Sequence, residues 1–320
     1  MMKKSLAVLW TMLLLVGLLV TGCKSTNGPE DDNAPAGVTN EQSARAYFAT
    51  NDDFTKVTEE AIDDEDLQGT DYTLGKIDTA MTPLRWGRFI RSVERVVTDT
   101  VRAGDSIAVV HVVRRIHGVL RVLASINGRI DTVNKPFVDE TERNIVFKRV
   151  GRETRRFWLN WVPVASSLVE GGTVRPNSSI NLTQLEFITP NDTITIIDPL
   201  HFFFRYRWLR LFNQGNKDIP EINAGTLVTI RATLVSESPD TDLVALRFGA
   251  DPLHKRRMRM RFVSQTQRGS DYIRVFERDF TMHFHRGFFH AAVDAMSKAT
   301  LFDNQSPYSV SWWGVPYRVN

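Results

Sequence analysis

Apolar residues recur at two periods along this chain, and the change of period divides it. Thr39-Asn40-Glu41-Gln42 forms a capping-box pattern, with Ala44, Tyr47 and Phe48 following at helical spacing. Asn51-Asp52-Asp53 offers a second cap before Phe54, Val57, Ala61 and Ile62, which predicts two short helices or one kinked helix. From Leu84 onward β-branched residues dominate. Val93–Val101 and Ser106–Ile116 flank Arg102-Ala103-Gly104-Asp105 as a hairpin. Gly118 and Asn127-Gly128 read as further turns, so Val119–Ile126 and Arg129–Val138 are expected as separate strands. Asn144–Val150 and Arg155–Val164 add a pair around Gly151. Trp86, Phe89, Ile90, Val93 and Val97 also fit a helix after Pro83, but the β-branched run that follows favours a strand.

Glu170-Gly171-Gly172 through Ser179 is polar and glycine-bearing, and is expected to be a joint between domains. Beyond it, short strands are predicted at Leu182–Ile188, Thr193–Ile197, Phe202–Leu209, Thr226–Val235, Leu243–Phe248, Arg256–Phe262 and Ile273–Phe284. A short helix is expected over His290–Lys298 and a terminal strand around Trp312–Tyr317. The spacing of these strands resembles an immunoglobulin-like or fibronectin-like sandwich. A helical start followed by a long antiparallel sheet resembles the cystatin-like or nuclear-transport-factor-like architecture. The expected fold class is therefore mainly β: an N-terminal α+β domain over 41–170, of short helices and an antiparallel sheet, then an immunoglobulin-like β-sandwich over 180–320.

The start of the chain has a different character. Lys3 and Lys4 precede an uncharged apolar run from Leu6 to Val20, which is short for a membrane span and suited to a signal-peptide core. The run closes on Val20-Thr21-Gly22-Cys23, which resembles the lipobox of bacterial lipoproteins. The resemblance implies cleavage before Cys23, the only cysteine of the chain, and acylation of its thiol. More than one acyl chain would anchor the protein stably, at about 0.8 kcal/mol per buried CH₂. In enterobacterial lipoproteins an Asp after the cysteine resembles an inner-membrane retention signal, so Lys24 points to the outer membrane. Residues 1–22 are then a signal peptide. Residues 23–40 are an acylated cysteine and a flexible tether too poor in apolar side chains to pack.

Charge separates the same regions. Lys24–Pro83 carries four basic and fourteen acidic residues, whereas Leu84–Asn320 carries thirty-four basic and twenty-three acidic. Arg257, Arg259 and Arg261 alternate with Met258, Met260 and Phe262, and on one strand they would share a face suited to an acidic glycan or lipid headgroup. The bland reading of this stripe is the wet side of an amphipathic strand. Arg205 and Arg207 repeat the pattern. Asp63-Asp64-Glu65-Asp66 lacks the glycine and spacing of a calcium loop and reads as a solvated helix end.

Candidate chemistry is sparse. No metal site is expected; His283 and His285 would share a strand face and are weak candidates for one, with Arg286 beside them disfavouring a cation. His290 and Asp294 would pair on a helix, and Trp312, Trp313 and Tyr317 are candidates for sugar stacking or core packing. The chain has no Gly-x-Ser-x-Gly elbow, His-Glu-x-x-His motif or phosphate-cradling glycine loop, so no catalytic residue and no cofactor is expected. The expected function is a non-enzymatic binding or structural role in the envelope. Its partners would be the membrane, through the lipid, and an envelope protein or acidic glycan or lipid headgroup, with no nucleic acid. The alternatives are a ligand-binding module with a pocket in the first domain, and a hydrolase of envelope polymers.

Overall fold

The computed structural model describes residues 80–102, 107–149, 161–174, 176–205, 217–218, 220–248 and 256–320. The lipobox, the tether, both expected N-terminal helices and the acidic run at Asp63–Asp66 lie outside these residues. The described chain is mainly β, with one short helix.

Three long strands open it: β1 (Thr82–Arg102), β2 (Ile107–Ile126) and β3 (Arg129–Arg149). The Asn127-Gly128 turn between β2 and β3 has φ of 51° and 78°, the left-handed geometry that Asn-Gly favours in a tight hairpin. Gly118 is not a turn. It lies within β2, where an added Cβ would come within 2.3 Å of the Phe137 ring and 2.7 Å of the Phe89 carbonyl oxygen. The glycine therefore marks a close approach between neighbours rather than a reversal of the chain.

β4 (Trp161–Ser167) and β5 (Val169–Thr173) follow β3 along its other edge. The expected joint at Glu170–Ser179 begins as this inner strand, paired with β3 on one side and with β17 (Val310–Val319) on the other. Gly171 has no room for a side chain, because a Cβ there would sit 2.4 Å from the Trp312 indole. Strands from both sides of the expected joint thus share one sheet.

The remaining strands are β6 (Ile180–Ile188), β7 (Thr193–Ile196), β8 (Phe203–Arg205), β9 (Lys217–Asp218), β10 (Glu221–Ile222), β11 (Leu227–Ser236), β12 (Leu243–Phe248), β13 (Arg256–Arg259), β14 (Arg261–Arg268), β15 (Asp271–Thr281) and β16 (Gly287–Met296). The helix α1 spans Lys298–Phe302. A twelve-stranded sheet runs β13-β12-β16-β17-β5-β3-β4-β8-β9, with β2 and β1 continuing from β3 and β10 beside β17. A five-stranded sheet runs β14-β15-β11-β6-β7. His290–Met296 is strand rather than helix, because a short apolar run buried on both faces carries no helical period to distinguish the two.

Alternation explains how these layers pack. On β17, Trp313, Val315 and Tyr317 join Leu182, Leu185, Phe187, Ile230 and Phe276 of the five-stranded sheet in one core. Val310 and Trp312 face the opposite way, into a second core with Trp86, Leu120, Phe137, Leu301, Phe302 and Tyr308. Side chains of β1 and β2 meet those of β12, β16 and β17 there, so the large sheet curls until its ends approach each other.

Candidate functional site

The concave face of the curled sheet carries charges as well as the second core. On β3 the buried positions are Lys135, Phe137, Asp139, Thr141, Arg143, Ile145 and Phe147, a face more polar than an ordinary core strand. Lys135 donates to the carbonyl oxygens of Asp303 (2.5 Å) and Ser306 (2.7 Å), holding the loop after α1. Burial lowers its pKa to about 8.

At the centre, Arg88 from β1 and Arg247 from β12 both pair with Asp294 from β16, the latter at 2.8 Å. Arg88 also donates to the Tyr308 hydroxyl at 3.3 Å, and that hydroxyl donates to Asp139 Oδ2 at 2.9 Å. Thr173 donates to Asp139 Oδ1 at 3.3 Å and accepts from the Val310 backbone N–H at 3.0 Å. Burial pushes Asp139 up to about 7, against the opposing pull of Arg88 and the two hydroxyl donors. Tyr308 is raised for the same reason, burial first. Asp139 has no exposed surface, so its carboxylate positions strands rather than touching a ligand.

Two clefts open beside it, on either side of the segment that follows β5. The first, of about 760 Å³, is lined by Arg91, Glu94, Arg115, His117, Val138 and Val174, with Phe137 and Tyr308 stacked at 4.5 Å against its floor. Its volume is in the range of small-molecule sites. Arg115 is held by Glu140 at 2.7 Å, and His117 lies 3.7 Å from Glu94. The second cleft, of about 650 Å³, carries Glu140, Glu142, Glu170, Glu237 and Asp271 in its wall, with no Lys or Arg among the described residues that line it. Glu142 and Glu170 stand directly opposite each other on β3 and β5. Glu170 is raised by burial and by the nearby Glu142 and Asp198. Neither cleft was foreseen residue by residue, since their walls come from distant parts of the sequence.

The residues singled out from sequence are dispersed. Arg257 and Arg259 lie on β13 in the large sheet, whereas Arg261 begins β14 in the small one. Met260, buried between them, marks the corner where the chain changes sheets, so the three arginines lie on two strands of different sheets. Arg261 is 74% exposed and 3.6 Å from Glu277. β15 ends at Thr281, which leaves His283 and His285 in a connecting segment with ring centroids 6.1 Å apart. His283 Nε2 lies 3.1 Å from the Tyr317 hydroxyl, and Phe289 packs edge-on against its ring. Among the described residues no group of three or more His, Cys, Asp or Glu could hold a metal ion. Trp312, Trp313 and Tyr317 are core residues, each at most 2% exposed. His290 is exposed and Asp294 buried on β16, with Asp294 engaged by the two arginines instead. Arg205 lies on β8, and Cys23 and Arg207 fall outside the described residues.

In comparisons with known proteins, the chain matches no family model, no curated protein and no solved structure.

Proposed function

We propose that this is a lipid-anchored protein of the bacterial envelope, at the outer membrane, with a non-enzymatic binding role. The anchor reading is supported by Val20-Thr21-Gly22-Cys23 behind an apolar leader. The binding reading is carried by the roughly 760 Å³ cleft over β1–β3, with charged side chains around it and apolar Pro136, Val138 and Val174 in its wall. The finer architecture proposed is an α+β part over 41–170 and an immunoglobulin-like part over 180–320, joined through the β5–β17 ladder rather than folding apart.

Cys23→Ala is expected to abolish incorporation of labelled fatty acid and to leave the leader uncleaved. A correctly processed, acyl-labelled Cys23→Ala protein would refute the anchor. For the cleft, a photo-crosslinking residue at Val174 is expected to trap a discrete partner in intact envelopes. Asn177→Trp, filling the cleft, should abolish the adduct, and the same crosslinker at Ile130 on the distant β2–β3 turn should give none. Equal labelling at both positions would end the binding reading.

A second reading, a hydrolase of envelope polymers, is favoured by one observation: Glu142 and Glu170 face each other in the second cleft. Reducing ends released from purified envelope polysaccharide, and lost in Glu170→Gln, would decide for it.

A further inference from the structure

We propose that the segment Met282–Arg286, at one end of the sandwich, docks into the lipid headgroup layer, with Phe284 as its inserted side chain. Phe284 is 80% exposed, more than any other large hydrophobic residue among those described. Leu227, 58% exposed, lies at the same end, opposite Thr281 on the β11–β15 ladder. The ring is presented by a fixed base. Met282 N–H donates to the Thr226 carbonyl at 2.9 Å, and Gly225 N–H donates to the Met282 carbonyl at 3.0 Å. The Phe284 ring lies over Gly225, where a Cβ would meet it at 3.6 Å and where φ is +75°. Holding the aromatic out on such a scaffold forgoes the burial that usually drives Phe inward.

The neighbours indicate what covers it. His285 and Arg286 are exposed beside the ring, so an apolar tip is flanked by an imidazole and a guanidinium group. That combination matches an interface in which acyl chains lie beneath anionic phosphates. The inference rests on the anchor reading in one respect: a tethered domain meets its own membrane at high effective concentration, so one aromatic contact suffices to bias its orientation.

The test uses the acylated protein in vesicles of phosphatidylethanolamine and phosphatidylglycerol doped with a nitroxide-headgroup lipid. A fluorophore is coupled through His285→Cys or, as a control, Ile130→Cys. Quenching at position 285 is expected to exceed that at 130 several-fold, and Phe284→Ser should lower the membrane-contacting population roughly ten-fold. Equal quenching at the two positions overturns the proposal, as does quenching unchanged by Phe284→Ser. So does a Phe284-dependent dimer in sedimentation velocity, which would assign the ring to a second copy. Dye uptake by the parent protein, whose only cysteine is Cys23, would report failure of the anchor alone. The contact is then read in a Cys23→Ser background with the same vesicles added in excess.

Discussion

Asp294→Ala is expected to lower the stability of the fold by about 3–5 kcal/mol, a large part of the roughly 5–15 kcal/mol available to a typical domain. The carboxylate is 3% exposed and pairs with two guanidinium groups, Arg88 and Arg247, themselves 1% and 6% exposed. Removing it leaves both cations buried without that counter-charge, and at that depth water cannot replace it. The effect reaches beyond one strand, because Arg88 comes from β1, Arg247 from β12 and Asp294 from β16. Losing the shared carboxylate should loosen the curl that brings β1 over β16. Urea unfolding measures the loss as a shift in midpoint, and a triple change of Arg88, Asp294 and Arg247 to apolar residues of similar volume should recover much of it. An unchanged midpoint in Asp294→Ala would show that the cluster does not hold the sheet ends together.

The second large effect is a dependence on pH. With Asp139 near 7 in the folded protein and near 4 when unfolded, the folded state binds the extra proton between those values. Stability contributed by this group is therefore complete below about pH 4, declines as the pH rises to about 7, and is flat beyond. The integrated loss is at most about 4 kcal/mol. Asp139→Asn is neutral at every pH and can still accept from Tyr308, so it should remove this decline and be the more stable protein above pH 7. Glu170 and Asp242, also raised by burial, leave a residual slope of the same sign. The difference between parent and variant midpoints across a pH series isolates Asp139, and parallel curves would refute its assigned role.

Local signals in the sequence were good guides where local chemistry decides. Asn127-Gly128 selected its hairpin turn, and the β-branched run after Leu84 selected strand over helix for β1. Most of the short strands between Leu182 and Phe248 followed from their spacing and the turns between them. Gly118 and Gly171 misled because glycine permits a turn and permits close packing equally, and only the rings of Phe137 and Trp312 show which applies. The arginine stripe misled because alternation does not reveal a corner: Met260 carries the chain from one sheet to the other.

By itself the sequence determined a mainly β chain and the β2–β3 hairpin, since each depends on neighbours along the chain. Only the tertiary structure decided that Arg88 meets Asp294, that Tyr308 meets Asp139 and that Glu142 faces Glu170. These partners are up to 206 residues apart, and no periodicity encodes which strands become neighbours when a sheet curls. Packing of the whole chain selects that register, because each one-residue slip would exchange the buried and exposed faces of a strand.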